Sequence, residues 1–262
     1  MTDTTALDAA HAEMEANPQD DAARLRFFER LADCELFLML TEEARDENIL
    51  PELFEVADGR FVLAFDREER LAGFAGRPAP YVALSGRVLA AMLSGQGIGL
   101  GLNLDTAPSS MLIPAEALGW LASTLQHGPE EVQQRLAEFL PPSGLPDRML
   151  TALDTKLATA AGLASAAFLV GTKNDLGGQG HLLGFVGASD GAEAALAKAV
   201  SEALTFSGIE AGALDVGFFN ADEPTAAALA NVGLRFELPQ PEVRQISRPI
   251  PGSDPEKPPI LK

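Results

Sequence analysis

The stretch LSGQGIGLGLNLDTAPSSMLIP, Leu93–Pro114, decides how the centre of the amino-terminal region folds. Small or polar residues alternate here with large apolar ones, which is the period of a β-strand. The small or polar set is Gly95, Gly97, Gly99, Gly101, Asn103 and Asp105. The sequence therefore predicts a half-buried strand with one face of nearly bare backbone. Because missing side chains let a neighbouring segment approach closely, we predict that the glycines serve packing.

Two other interpretations of these glycines are a cofactor loop and a docking face. A dinucleotide fingerprint has the spacing G-x-G-x-x-G after a strand and before a helix. Counted from Gly95, Gly97 or Gly99, a leucine occupies the third glycine position each time, and the stretch follows a predicted helix. We therefore predict no cofactor. The remaining alternative is docking of a peptide or strand on the bare face, with the candidate binding residues Gly97, Gly99, Gly101, Asn103 and Asp105.

Upstream of this stretch, hydrophobic periodicity predicts two helices followed by strands. An apolar stripe over residues 7–14 marks the first helix, and Asp20 or Asp21 caps the second. The run ELFLML has the length of a strand, and ELFEVADGRFVLAF predicts a hairpin with an Asp-Gly turn. A short helix capped by Asp66 follows, then a strand and a helix capped by Ser85.

Downstream, MLI is a short strand, and Pro114 opens a helix because proline fits the first helical turn. The segment QHGPEEVQQRLAEFL predicts a further helix that ends at a break between Pro141 and Pro146. Beyond the break we expect a helix over 148–161 and then alternating strands and helices. The predicted strands are SAAFLVGTK, HLLGFVGAS, LDVGFFN and LRFEL.

This mixture of hairpins and amphipathic helices predicts the α+β class: two α+β domains with mainly antiparallel sheets and flanking helices. We place an amino-terminal domain at 1–142 and a carboxy-terminal domain at 146–238. A tail at 239–262 follows, with seven prolines among its 24 residues. The two halves have similar patterns of predicted helices and strands, but they share no repeat at the level of residues.

The chain is strongly acidic, with 38 acidic and 19 basic residues and a formal charge of −19. Such a surface repels phosphate backbones and anionic lipid, so we expect no nucleic-acid partner and no membrane partner. The first residues lack a secretory pattern, and no apolar run has the length of about 18 residues needed to cross a bilayer. With Cys34 as the single cysteine, we predict a cytoplasmic protein without an internal disulfide.

One motif resembles a catalytic signature. GASDG, Gly187–Gly191, matches G-x-S-x-G, but all three histidines precede Ser189, whereas the hydrolase order requires a later histidine. Ser189 or Asp190 is better interpreted as a helix N-cap. We therefore predict no catalytic residue on this motif.

The remaining polar candidates also have structural interpretations. The histidines His11, His127 and His181 have no metal-ligand spacing, so we predict no metal site. Cys34 is expected to be a small buried apolar residue. Asp215, within the apolar run LDVGFFN, is expected to mark a strand end or a sheet edge.

Several stretches resemble the SseB family, which is called after a serine-sensitivity-enhancing bacterial protein. They are RFVLAFDREERLAGF, VALSGRVLAAMLSGQGIGLGLNLDTAPSSMLIPAEALGWL and the later LLGFVG, LDVGFFN and LRFEL. The family pattern of a strand, an Asn and a loop before a helix matches Gly99–Asn103 and Ile113–Glu116. Family members often have Asn-Pro where this chain has Asn103-Leu104, so the loop differs here.

The resemblance covers about residues 30–125 well and 148–238 more loosely. It implies an amino-terminal and a carboxy-terminal α+β domain and a poorly defined cellular role. The motifs are hydrophobic and structural, and the family has no agreed catalytic residues to carry over.

Three functional hypotheses follow. The leading one is a non-catalytic, cytoplasmic binding or regulatory protein of SseB type, with a protein or a small metabolite as its partner. The second is a small-metabolite enzyme linked to serine or sulfur metabolism, with Asp105 or Asp215 as working carboxylates. The third is a secretion-associated adaptor. A convergent polar pocket would favour the enzyme, and an exposed apolar patch or open strand edge would favour an adaptor.

Overall fold

A computed structural model describes residues 4–44, 49–56, 59–126, 136–174, 179–209 and 214–240. The helices are α1 (Ala6–Ala16), α2 (Asp21–Asp33), α3 (Glu68–Ala75), α4 (Gly86–Leu93), α5 (Ala115–Gln126), α6 (Asp147–Leu157), α7 (Glu193–Phe206) and α8 (Pro224–Val232). The strands are β1 (Glu35–Met39), β2 (Leu53–Val56), β3 (Gly59–Phe65), β4 (Tyr81–Ser85), β5 (Ile98–Leu102), β6 (Met111–Ile113), β7 (Leu136–Leu140), β8 (Ala166–Asn174), β9 (Gln179–Val186), β10 (Asp215–Phe219) and β11 (Leu234–Phe236). They form two sheets flanked by helices, which confirms the predicted α+β class.

Local side-chain chemistry starts the first two helices. The Thr5 hydroxyl accepts the Asp8 N–H at 3.1 Å and the Asp8 carboxylate accepts the Thr5 N–H at 3.0 Å, so α1 begins with a capping box. The Asp20 carboxylate accepts the Ala22 N–H at 3.0 Å and caps α2, as the sequence predicts.

The amino-terminal sheet has the strand order β4-β1-β3-β5-β6, and β2 pairs with β3 as the predicted hairpin. Every strand pair is antiparallel except β3 with β5. One face packs against α1, α2, α4 and α5 through a large apolar core that includes Phe27, Leu100 and Leu121. The opposite face carries a smaller core with Leu71 of α3.

The carboxy-terminal sheet has the order β10-β9-β8-β11, with β7 also paired to β8. Its strand pairs are antiparallel except β9 with β10. One face packs against α6 and α7 through residues such as Leu153 and Leu196, and the other packs against Leu229 of α8. Helices therefore contact both faces of this sheet.

The two sheets share a four-strand arrangement. In each, two antiparallel pairs are followed by one parallel pair, in the order β4-β1-β3-β5 and β11-β8-β9-β10. The chain adds the outer strands in opposite order, since β4 precedes β5 whereas β10 precedes β11. The different order of these strands along the chain is consistent with two halves that have similar patterns of helices and strands but no repeat at the level of residues.

Four details differ from the sequence predictions. The helix predicted over 126–140 is wrong where it is described, because residues 136–140 form β7 and pair with β8. Asp66 does not cap α3, whose N-cap is Arg67, because its carboxylate is bonded elsewhere. Ser85 does occupy the N-cap of α4, but without a side-chain hydrogen bond. Helix α6 ends at Leu157 rather than at 161. The predicted domain limits stay a prediction.

Candidate functional site

The glycine-rich stretch contains a shorter strand than its alternation predicts, because β5 begins only at Ile98. Gly95 and Gly97 precede it with φ of 76° and 66°, a backbone conformation that glycine adopts without strain. A Cβ on Gly99 would lie 2.7 Å from the Ile113 carbonyl oxygen and would also overlap the Phe61 ring. A Cβ on Gly101 would lie 2.5 Å from a methyl of the Leu63 side chain. The packing interpretation is therefore confirmed for Gly99 and Gly101, and the predicted strand face is wrong for Gly95 and Gly97.

The two polar residues after β5 have different surroundings. Asn103 is fully buried at a φ of 49°, accepts the Asp66 N–H at 3.0 Å and donates to Ser109 Oγ at 2.9 Å. Asp105 is exposed at a φ of 57°, and its side chain forms no comparable buried hydrogen bond among the described residues. The five predicted binding residues are thus divided among a turn, a buried strand, a buried amide and an exposed loop. They do not form one exposed surface.

A buried ion cluster lies beside Asn103, and we call it the amino-terminal cluster: Asp8, Asp66, Arg70, Ser109 and Thr5. Arg70 forms ion pairs with Asp8 at 2.5 Å and with Asp66 at 2.7 Å, and the three side chains are at most 4% exposed. Its Nε is buried and lacks a hydrogen-bond partner among the described residues. Arg70 therefore joins the start of α1 to α3.

Hydroxyl groups complete the amino-terminal cluster. Ser109 Oγ donates to Asp8 at 2.5 Å, and Thr5 Oγ1 donates to Asp66 at 2.7 Å. Burial alone would raise the pKa of Asp8, but hydrogen bonds from Arg70, Ser109 and the Thr5 backbone lower it well below its usual range. The donors that hold the Asp8 carboxylate as an anion come from segments far apart in the sequence.

A second cluster lies between the halves, and we call it the junction cluster: Glu29 and Asp33 of α2, Arg87 of α4, Lys156 of α6 and Glu202 of α7. Arg87 bonds Asp33 at 2.5 Å and Glu202 at 3.1 Å, while Lys156 bonds Asp33 at 2.6 Å and Glu202 at 2.9 Å. Glu29, Lys156 and Glu202 are each about 5% exposed. These contacts connect helices of the amino-terminal sheet to helices of the carboxy-terminal sheet.

An apolar surface lies on the glycine side of the amino-terminal sheet, and we call it the open sheet face: Phe54, Val56, Phe61 and Leu112. The register pairs Phe54 with Phe61, Phe61 with Gly99, and Leu112 with Gly101, so these side chains share one face. Val56 is 36% exposed and Leu112 is 40% exposed. Helix α3 covers the same face farther along, where Phe74 contacts Phe54 and Phe65.

Ser189 of the motif GASDG, which resembles a catalytic signature, has a structural role that differs from the predicted helix N-cap. Ser189 Oγ donates to the Gly162 carbonyl at 2.9 Å, and helix α7 begins at the N-cap Ala192 without a side-chain cap. The predicted capping by Ser189 or Asp190 is therefore wrong. Ser189 instead fastens the loop before α7 to the loop before β8.

The other predicted polar residues occupy separate places. His11 is buried edge-on against Phe27, and His181 lies 3.0 Å from the Ser143 carbonyl. His127 lies outside the described residues. Cys34 is half-buried, less than expected, but burial raises the pKa of its thiol to about 12, and the thiol donates to the Leu31 carbonyl. Asp215 is the first residue of β10 at the sheet edge, as expected.

Clefts in the described part of the chain are shallow. One of about 430 Å³ is lined by Pro142, Ser143, Gly144, Leu145, Leu150, Val232, Gly233 and Leu234. Another of about 370 Å³ lies beside α3, where the Tyr81 hydroxyl donates to Glu68. Within the described residues, no group of three or more His, Cys, Asp or Glu side chains is arranged so that it could hold a metal ion, and no helix is long and apolar enough to cross a membrane.

The fold and these clusters define the class of protein: an α+β chain with two mixed sheets joined by a charged helical junction. Residues 7–120 match the family model described as the SseB protein N-terminal domain. The amino-terminal region, residues 7–120, therefore belongs to the SseB N-terminal domain family. No curated protein and no solved structure matches the chain. The matched region contains the open sheet face and every residue of the amino-terminal cluster except Thr5.

Sequence reasoning missed both ion clusters. Asp66 and Arg70 are four residues apart, the spacing of an ion pair on a helix face, and this signal could have identified one contact. No comparable signal links Asp8 to Arg70, which are 62 residues apart, or Arg87 to Glu202, which are 115 residues apart.

Proposed function

We propose that the chain is a non-catalytic, cytoplasmic binding or regulatory protein that docks a partner protein on the open sheet face. The observation that carries this proposal is the contiguous apolar surface formed by Phe54, Val56, Phe61 and Leu112 on one side of the sheet. Contiguous exposed apolar side chains on an otherwise polar protein are typical of interaction sites. The occupant that fits this surface is an apolar segment of another protein.

The glycines beneath the surface support a docking role. The Phe61 ring lies over Gly99, where a Cβ would overlap it, whereas Leu63 beside Gly101 is buried. The open sheet face extends from β6, which is an edge strand of the sheet, to β2, which pairs with β3. A partner strand or helix could therefore contact side chains from three strands at once.

An adaptor role would use the same surface, so it is a special case of this proposal. The enzyme alternative has less support from the positions of its two carboxylates. Asp105 follows β5 and Asp215 begins β10, so they belong to different sheets, and both are exposed.

Site-specific photocrosslinking in cells tests the proposal. A photoreactive phenylalanine analogue replaces Leu112 in one variant and Val88 of α4 in the control, since these side chains are 40% and 43% exposed. We expect the Leu112 variant to form a discrete adduct with another protein and the Val88 variant to form none. The purified partner should then bind Val56→Asp at least tenfold more weakly than the parent and bind Val88→Asp unchanged.

Three outcomes contradict this proposal. They are the absence of an adduct at position 112, equal adducts at both positions, and an adduct with a second copy of the chain only. A small metabolite that protects position 112 from protein crosslinking would shift the proposal to the metabolite-binding alternative.

A further inference from the structure

The junction cluster contains more negative than positive charge. Three carboxylates, Glu29, Asp33 and Glu202, face two cations, Arg87 and Lys156. Asp33 and Glu202 each bond both cations at 3.1 Å or less. The surplus negative charge therefore falls on the third carboxylate, Glu29.

Glu29 occupies the least favourable position in this cluster. Its closest cation is Lys156 Nζ at 3.8 Å, and no donor among the described residues forms a hydrogen bond with it. Its side chain is 5% exposed, so burial disfavours its charged form. Four charged groups surround it: Lys156 of α6, Glu202 of α7, and Arg30 and Asp33 of its own helix. Arg87 of α4 is bonded to Asp33 and Glu202.

We propose that closing this junction takes up one proton from solvent, which Glu29 holds, so that the contact between the two sheets tightens as the solution becomes more acidic. Burial raises the pKa of Glu29, and the charges of Lys156 and Arg30 offset this only in part, because Asp33 and Glu202 repel the anion. The neighbouring Glu202 has the opposite shift. Burial would raise its pKa, but hydrogen bonds from Arg87 and Lys156 lower it.

The direction of the pH effect follows from the raised pKa. Below its ordinary value of 4.5, Glu29 is protonated in both the closed and the open junction. Between 4.5 and the raised value, only the closed junction retains the proton, so closure weakens as the pH rises through this interval. Closure of the junction between the two halves is therefore coupled to protonation of Glu29.

The single tryptophan supplies a reporter of the junction. Trp120 of α5 packs edge-on against Phe206 of α7 at 6.3 Å and against Phe28 of α2 at 5.3 Å. Opening the junction would remove Phe206 from the indole and increase its exposure. We expect Trp120 emission in the parent protein to shift to longer wavelength between pH 4.5 and 8.

Two variants test whether Glu29 causes this shift. Glu29→Gln mimics the protonated side chain and should remove the transition, leaving the emission at its acidic position throughout. Glu15→Gln removes an equally negative but exposed side chain of α1 and should leave the transition unchanged. A parent emission that does not change with pH, or a Glu29→Gln variant that retains the transition, would overturn the proposal.

A direct titration measures the protonation of Glu29 in the parent protein itself. Carboxyl ¹³C resonances of glutamate are followed in the intact parent protein, and the Glu29 signal is assigned by its loss in Glu29→Asp. We expect that signal to titrate above pH 4.5. Titration at or below 4.5 would show that Glu29 is an anion in the closed junction and that no proton is taken up.

Discussion

The amino-terminal cluster and the junction cluster both contain more carboxylates than cations, but they differ in how the additional carboxylate is stabilised. In the first, Asp8 and Asp66 face the single cation Arg70, and in the second, three carboxylates face two cations. Each cluster thus buries one more carboxylate than it has cations. Ser109 and Thr5 hydrogen-bond the carboxylates of the first cluster, whereas Glu29 receives no hydrogen bond from the described residues.

The difference shows that neutral donors, as well as cations, decide the protonation of a buried acid. The hydrogen bond from Arg70 lowers the pKa of Asp8 most, and the Ser109 hydroxyl and the Thr5 N–H lower it further without adding a charge, so it falls despite burial. Glu29 lacks such donors, and its pKa rises. The first cluster is therefore suited to hold α1 in place over a wide pH range, and the second is suited to respond to pH.

The largest expected effect comes from removing the only cation of the amino-terminal cluster. Arg70→Met leaves Asp8 and Asp66 buried without a counter-charge, and breaking such a pair typically costs about 3–5 kcal/mol. Urea denaturation at pH 7 measures the loss in the free energy of unfolding. The control Arg24→Met removes an exposed pair with Asp21 and should change it by less than about 0.5 kcal/mol. An equal, small loss in both variants would contradict the structural role of Arg70.

A smaller effect is expected when the junction cluster loses Lys156. Lys156→Met deprives Glu29 of its nearest cation, but Arg87 still bonds Asp33 and Glu202, so we expect a loss of about 2–3 kcal/mol, less than for an isolated buried pair. Because protonation of Glu29 relieves the surplus charge, the loss should shrink between pH 7.5 and pH 5. Urea denaturation at both pH values checks this, with the exposed Lys173→Met as the control. A loss that grows on acidification would show that Glu29 is not the group that takes up the proton.

The smallest effect concerns a neutral donor. Ser109→Ala removes a hydrogen bond to the buried Asp8 carboxylate and one accepted from the Asn103 amide, and it should cost about 2 kcal/mol at pH 7. The lowered pKa of Asp8 stabilises the fold above its ordinary value of 3.8, and this stabilisation is lost as the pH falls below it. The variant and the parent should therefore converge in stability toward low pH. Ser110→Ala is the control, because the Ser110 hydroxyl accepts the exposed Asp105 N–H, and an equal loss of stability there would show that Ser109 has no special role.

Much of the local structure could be predicted from sequence because it follows from local rules. The Asp20 cap, the hairpin of β2 and β3, and the packing of Gly99 and Gly101 all depend on neighbouring residues or on strand period. The errors occur where a distant partner competes for a side chain or a segment. The Asp66 carboxylate accepts a hydrogen bond from Thr5, 61 residues away, instead of capping α3, and residues 136–140 pair with β8 instead of forming a helix.

The candidate sites were less predictable than the fold. The proposed binding residues were chosen from one alternating strand, but Asn103 turns inward to bond Asp66 and Ser109. The open sheet face combines β2, β3 and β6, and its continuity depends on strand register. Register between non-adjacent strands is a tertiary property, so no pattern within one segment indicates it.

The sequence by itself determined the α+β class, most helices and strands, the close packing at Gly99 and Gly101, and the resemblance to the SseB family. These features depend on hydrophobic period, turn chemistry and local steric limits, which are present in short segments. Only the tertiary structure decided which charges are buried together and which sheet surface stays open. Asp8 and Ser109 meet across 101 residues of sequence, and Lys156 meets Asp33 across 123, because chain folding rather than local periodicity brings such charges into contact.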